Sequence, residues 1–405
     1  MRVYSRRAGR HEQQSAATRR SRRRGVAAIV LGLASLPSLA QTADSASATV
    51  YGLIDTGVRH INDVSAAGGV TQVASGLNTS RFGIRASEAI DGALHAGVRL
   101  EGGFNSGTGA QSNSAALFDR TAALDLGGRQ WDLKAGRQEG FGYELAATGV
   151  TDPLAMALNL PDYAAPAAAG SKAPVLGANP LQALYSYTYG QLRYNNSVRV
   201  TANDTFWSAG LMVAGGGVAG SFASNSLRSG HLGASFGALR LQSLFQQAVD
   251  AHGAHSSLAV LSATYAIDAW KLQAGVHNLR VGAGFDSSGL GNGASGSGIL
   301  GSSTTVSTVL AGTHQDFRFT VADLGATWAA TKTVPLTLAA YKTRSDGSGQ
   351  GNSIALVSLG KWFVLPRTAL YAEVDHATQS GRLAVKTVGP GNSALAYMTG
   401  INVRF

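Results

Sequence analysis

Residues 396 to 405 read Ala-Tyr-Met-Thr-Gly-Ile-Asn-Val-Arg-Phe. Tyr397, Thr399, Ile401, Val403 and Phe405 share one parity, while Met398, Gly400, Asn402 and Arg404 share the other. Successive side chains of a β-strand point to opposite faces, so this segment has one oily and one polar face. The pattern recurs upstream. Leu94, Ala96, Val98 and Leu100 oppose His95, Arg99 and Glu101; Trp270, Leu272, Ala274 and Val276 oppose Lys271, Gln273 and His277; Leu370, Ala372 and Val374 oppose Tyr371, Glu373 and Asp375. Alternation alone fits two architectures. In a water-soluble sandwich the oily face packs inward, whereas in a membrane barrel it faces lipid and the polar face lines water.

Spacing separates the two. Strands are predicted near 48–61, 79–88, 92–104, 117–127, 130–138, 192–201, 206–214, 228–236, 239–247, 257–267, 269–280, 317–329, 332–344, 353–363, 368–378 and 396–405, sixteen in all. Their connections alternate between tight turns, such as Gly128-Arg129, Gly237-Ala238 and Pro366-Arg367, and long Gly/Ser-rich loops. One short rim and one long rim is the asymmetry of outer-membrane barrels, with short periplasmic turns and longer extracellular loops. Ten residues at about 3.3 Å each, tilted by about 45°, rise roughly 23 Å, which matches the apolar band of such barrels. Closure also removes the unpaired strand edges that hydrocarbon does not tolerate. The expected fold is all-β: a 16-stranded antiparallel transmembrane β-barrel. The loop 139–191, with five prolines, is long enough to fold inward and narrow the lumen, and 281–316 reads as an external loop.

The composition agrees. With 52 Gly among 405 residues, the chain is too Gly-rich to be mostly helical. It has no Cys, which excludes disulfides, thiolate metal sites and Cys nucleophiles. Most of the net charge of +10 belongs to the amino-terminal tail: residues 1 to 40 hold nine Arg and one acid, Glu12, leaving 24 basic against 22 acidic residues downstream. A nucleic-acid partner is therefore not expected. Arg22, Arg23 and Arg24 precede an apolar run from Gly25 to Leu36 and then Pro37-Ser38-Leu39-Ala40, the order of a cleavable export signal. Residues 1–40 are read as that signal and 41–405 as the barrel. After Gln41 no apolar stretch is long enough for a membrane helix.

Several motifs carry a family resemblance. The runs ATVYGLIDTGV (48–58), SRFGIRASE (80–88), RLEGGFN (99–105), FDRTAALDLGGRQWDLKAGRQ (118–138) and RYNNSVRV (193–200), together with the terminal Phe405, resemble the general diffusion porins of Gram-negative bacteria, particularly those of β-proteobacteria. The resemblance implies a homotrimer of barrels in outer-membrane lipid and lipopolysaccharide. It implies one pore per chain narrowed by the third loop, with Phe405 as the closure and assembly signal. It places a basic cluster on the wall, carried here by Arg81, Arg120 and Arg193. Parity supports Arg81, which opposes Phe82 and Ile84, and Arg193, which shares a face with Asn195, Ser197 and Arg199; around Arg120 both faces are too apolar to decide. Facing acids in the early loop are Glu139, Glu144 and Asp152, and the sequence leaves open which of them reaches the pore.

The implied activity is passive diffusion of small hydrophilic solutes and ions through a water-filled channel, without catalysis or cofactor. Arginine stays protonated at every physiological pH. Two unit charges about 8 Å apart interact by about 0.5 kcal/mol in water and about 2 kcal/mol at a dielectric near 20. That corresponds to a roughly twofold to thirtyfold preference, a mild anion bias. Glu101, Asp132, Glu373 and Asp375 compete with it. Two G-x-G-x-x-G matches, at Gly215 and Gly291, open no βαβ unit. His252 and His255 lack a clustered third ligand, so no metal site is expected. Alternatives are an outer-membrane barrel hydrolase of phospholipase or protease type, using scattered Ser with His277, His314 or His376, and a non-conducting structural or adhesin barrel. The five tryptophans are expected at the membrane interface.

Overall fold

The computed structural model describes residues 46–65, 68–74, 76–90, 92–113, 116–155, 193–285, 316–347, 351–381 and 393–405. The export signal at 1–40, the loop beyond 155, most of 281–316, His314 and the glycine motif at Gly291 lie outside the described residues.

The strands are β1 (Ala46–Ser65), β2 (Gly68–Ala74), β3 (Ser80–Ala89), β4 (His95–Phe104), β5 (Thr121–Gly127), β6 (Trp131–Glu139), β7 (Arg193–Asn203), β8 (Trp207–Ala214) and β9 (Ser226–Phe236). They continue as β10 (Leu239–Val249), β11 (His255–Ile267), β12 (Trp270–Val281), β13 (Phe317–Thr331), β14 (Val334–Gly347), β15 (Gly351–Leu365), β16 (Thr368–Gly381) and β17 (Ser393–Arg404). From β3 onward each strand pairs antiparallel with its successor. β1 closes the ring on β17, from Leu53 opposite Arg404 to Ile61 opposite Ala396.

β2 and β3 share one place in that ring. β3 pairs with the Ala46–Leu53 half of β1 and β2 with the part from Gly57 to Ser65. The wall therefore has sixteen positions, as the sequence predicts, but the second is broken in two. The break has a side-chain cause. Asp55, fully buried, accepts hydrogen bonds from the backbone amides of Gly76 (3.2 Å) and Asn78 (3.0 Å), and from Tyr371 (2.6 Å) and Asn402 (2.8 Å). These bonds hold residues 76–79 against the inner wall, so the pairing that β2 begins cannot run on into β3.

Burial decides between the two architectures. On β17 Tyr397 is 52% and Ile401 42% exposed, whereas Met398 and Asn402 are buried; on β11 Leu261 is 63% exposed beside buried Ser262. The oily parity faces outward and the polar parity inward, the reverse of a soluble sandwich. All five tryptophans, Trp131, Trp207, Trp270, Trp328 and Trp362, are outward, exposed, and within four residues of a strand end on the short-turn rim. Trp270 and Trp328 stack across β12 and β13 at 5.8 Å. Amphipathic rings at one level form an interfacial girdle, as expected.

The interior departs from the expected polar lining on one side. Along β13 to β16 the inward residues include Phe319, Val321, Ala339, Tyr341, Ala355, Val357, Leu359 and Tyr371, all buried. They belong to one apolar cluster with Leu77 of the inward turn and with Phe141, Ala146 and Leu154 of the third loop. A lumen crossed by a loop needs an apolar wall against which the loop can pack.

Candidate pore constriction

The third loop begins with a short helix, α1 (Phe141–Ala147), which the sequence analysis does not anticipate. Seven residues without a side-chain N-cap do not make a stable helix alone. Tertiary contacts hold this one: Phe141 and Ala146 are buried, the Phe141 ring meets His231 of β9 edge-on at 4.5 Å, and the Arg199 guanidinium lies 5.1 Å from its face.

Beyond α1 the chain reaches strands half a ring away. Ser262 of β11 donates to the Val150 carbonyl at 3.2 Å, and Lys271 of β12 to the Gly149 carbonyl at 3.5 Å. The Gln273 amide spans the Gly149 carbonyl (3.3 Å) and the Asp152 amide (2.8 Å). Tyr341 of β14 donates to Asp152 Oδ1 at 2.6 Å. Pro153 sits on Gly325 of β13, where an added Cβ would lie 2.8 Å from the proline Cγ and closer still to its Cβ. Residues 140–155 thus run from the end of β6 across the lumen to β11–β14.

The three wall arginines of the sequence analysis come together on the opposite arc. Glu101 of β4 is buried beside two of them and Arg99: Arg120 Nε lies 2.6 Å, Arg81 Nε 3.9 Å and Arg99 Nη2 2.7 Å from its carboxylate. Glu139 binds Arg193 at 2.9 Å and Arg120 at 3.7 Å. The Arg193 guanidinium stands 4.9 Å over the ring of Tyr143. Arg137 donates to the Asp119 carbonyl and to Asn195 Oδ1, both at 2.6 Å, and Arg199 pairs with Glu144. Arg81, Arg99, Arg120, Arg137, Arg193 and Arg199 thus face the carboxylates of Glu101, Glu139 and Glu144, with that of Asp119, bonded to the Gly103 amide at 2.7 Å, near Arg137; among the described residues this leaves an excess of positive charge. Tyr143, on α1, registers it: burial alone would raise its phenol pKa, but the charges of Arg193 and Arg120 outweigh burial and lower it.

The loop acids need correction. Glu139 is the last residue of β6 rather than part of the loop. Asp152 does not reach the lumen: it is fully buried and its carboxylate serves Tyr341 and the Leu154 amide (3.0 Å) as the far anchor of the loop. Of the three, Glu144 alone projects from the described part of the loop, onto Arg199. The parity that groups Arg193 with Ser197 and Arg199 is interrupted by a bulge. The β6–β7 register shifts between Gly136 and Gln138, Gly136 has φ +127° and Asn196 φ +49°, and Tyr194 is buried. Arg193 reaches Glu139 from beyond that bulge. Arg99, Arg137 and Arg199 are not among the wall arginines that the family resemblance names, although the inward parity of Arg99 and Arg199 in the sequence pointed to two of them. Phe405 bonds back to the barrel: its amide donates to the Gly52 carbonyl (3.1 Å) and its carbonyl accepts from the Gly52 amide (3.2 Å), with the ring packed on Gly52.

The family model for Gram-negative porins matches residues 26–382. The chain belongs to that family. Among curated relatives, it is 36% identical over 111 residues to an outer membrane porin protein of Bordetella pertussis, covering 23% of this chain and 28% of that one. It is 31% identical over 130 residues to outer membrane porin protein 32 of Delftia acidovorans, covering 30% of this chain and 36% of the relative. The matched stretches thus span about a third of each relative. Among solved structures, an anion-selective porin from Comamonas acidovorans superposes with a TM-score of 0.65 at 19% identity, covering 89% of this chain and all 100% of that one. A trimer form of OmpT, an outer membrane protein of Vibrio cholerae, does so with a TM-score of 0.58 at 12% identity over 89% and 100%. As a member of this family, with a girdled sixteen-position barrel, the chain is an outer-membrane protein.

Proposed function

We propose that this porin forms a water-filled channel for passive diffusion of small hydrophilic solutes and ions, with mild anion preference, and that it works as a homotrimer with one pore per chain. The observation that carries this reading is the pairing of a loop strapped across the lumen with an arc of six arginines only partly neutralised by carboxylates. A solute passing between the two meets fixed cations whose charge does not change with pH. The field is graded rather than absolute, because the arginines are held in ion pairs and water screens what remains. The trimer form of one structural neighbour, OmpT of Vibrio cholerae, and the anion selectivity that names another, the Comamonas acidovorans porin, support the same reading.

Planar-bilayer recording tests it. Ohmic conductance in steps of three and a reversal potential of anion-selective sign under a salt gradient are expected. Replacing both Arg81 and Arg193 by Ser is expected to move that potential toward cations; no shift would mean that these residues do not face the permeation path. The hydrolase alternative predicts turnover of phospholipid or peptide by the purified protein. His277 favours it little, being buried 2.6 Å from Asp323, and His376 sits on the outward face. The structural-barrel alternative predicts negligible conductance.

A further inference from the structure

At the short-turn end of the lumen, away from the arginine arc, His95, Asp125 and Asp132 converge from three adjacent strands. His95 opens β4, Asp125 lies in β5, and Asp132 is the second residue of β6. One ligand atom from each lies within 4.8 Å of the other two, and His95 Nε2 is 3.9 Å from Asp125 Oδ2, too far for a hydrogen bond. All three take the inward parity: His95 that of Arg99 and Glu101, Asp132 that of Lys134.

The backbone under this group is cut away to receive it. Gly97 is the register partner of Asp125, and Gly127 is opposite both His95 and Asp132. A Cβ at Gly127 would fall 2.7 Å from His95 Nε2 and 3.3 Å from Asp132 Oδ2; one at Gly97 would fall 2.5 Å from Asp125 Oδ2. Both glycines have ordinary extended backbone, so no turn calls for them. The space over them is occupied by the three ligand groups. Lys134 stands opposite Asp125 in the register, yet among the described residues no ion pair joins it to either carboxylate.

We infer that His95, Asp125 and Asp132 form a binding site for a first-row divalent cation such as Zn²⁺ at the short-turn mouth of the pore. One imidazole nitrogen and two carboxylate oxygens are a donor set that suits such ions, with a further position left for water. Ligand atoms around a tetrahedral ion with bonds of about 2.1 Å are about 3.4 Å apart, so side-chain rotation alone closes the present spacing. The site escaped the sequence reading because its members are 7 to 37 residues apart and meet only through strand register. The ion would cancel the two carboxylate charges beside the permeation path, about 13 Å along β4 from Arg99. That effect on permeation rests on the pore reading; the binding does not.

The test uses the full-length protein in detergent, titrated with Zn²⁺ calorimetrically at pH 7.5, with metal content read by atomic emission after gel filtration. Saturable binding of one ion per chain is expected, weakened at least about tenfold by His95→Gln and by Asp132→Asn. Gly127→Ala, which fills the cradle without changing charge, is expected to weaken it too. His252→Ala combined with His255→Ala is expected to leave it unchanged. Absence of saturable binding, or binding that survives His95→Gln but is lost in the His252/His255 variant, overturns the site. Heat-modifiable mobility on gels confirms that each variant is a folded barrel. In bilayers, Zn²⁺ on the short-turn side is expected to shift the reversal potential toward anions, reversibly with a chelator and not in His95→Gln. Binding without that shift keeps the site and counts against the pore.

Discussion

Glu101 shows how much one side chain organises. It is buried and touched by Arg81, Arg99 and Arg120, and Arg120 is itself almost wholly enclosed. Removing one partner of a buried ion pair strands the other, which typically costs about 3–5 kcal/mol. Glu101→Gln is therefore expected to lower the urea midpoint of unfolding and to make the channel more anion-selective, since a negative charge leaves the arc. A more stable or more cation-selective variant would contradict this placement. Tyr143 offers a second handle. Its phenol is held below the ordinary tyrosine pKa by Arg193 and Arg120 against the opposing effect of burial, so it should deprotonate at lower pH than a free tyrosine. The ultraviolet difference titration between the wild type and Tyr143→Phe should show this, and Arg193→Gln should move the midpoint upward. A midpoint above that of free tyrosine would mean that burial wins. At this scale the motifs and parity named Arg81, Arg120 and Arg193 with Glu139, Glu144 and Asp152, but not which of these groups pair. Arg81, Arg120 and Arg193 come from the family motifs, with parity supporting Arg81 and Arg193 and deciding nothing at Arg120, and the bulge at Gly136 and Asn196 breaks the two-residue count that parity depends on. Asp152 looks like any loop acid until Tyr341, 189 positions away, is found bonded to it.

The third loop is an element whose conformation is set by what it touches rather than by its own sequence. α1 is too short to stand alone and has no side-chain cap, so its helicity follows from Phe141 and Ala146 packing into the apolar cluster and from Glu144 holding Arg199. The far end is pinned by Pro153 on Gly325 and by the Tyr341–Asp152 bond. Gly325→Ala would place a methyl inside the proline ring's space and is expected to displace the strap. Tyr341→Phe would remove a bond to a charged acceptor worth about 1.5–3 kcal/mol. Both are expected to raise single-channel conductance and open-state noise while the barrel keeps its heat-modifiable mobility. Unchanged conductance in both would place the strap outside the narrowest section. Strand positions were legible to within a few residues because lipid on one side and the interior on the other impose a strict period of two. The helix and the broken second strand were not, because each depends on partners from strands remote in sequence: His231 and Arg199 for the helix, Tyr371 and Asn402 through Asp55 for the break.

At the scale of the whole molecule, the outward oily face and the tryptophan girdle make stability depend on depth in the bilayer. Leu232 and Phe236 lie on the same outward face of β9, and both are exposed. Phe236 is at the short-turn rim; Leu232 is four residues further along, about 13 Å of strand or about 9 Å of depth at a tilt near 45°. An arginine at the bilayer midplane costs about 2–4 kcal/mol in such barrels, against about 0–1 kcal/mol near the interface. Leu232→Arg is therefore expected to destabilise the barrel by at least about 2 kcal/mol and Phe236→Arg by less than about 1 kcal/mol, measured by urea unfolding in lipid vesicles. A soluble protein with the same exposed positions would show neither penalty, since both side chains would already sit in water. If the two substitutions cost the same, or if the rim substitution costs more, then hydrocarbon does not contact this face at the depth that the girdle implies.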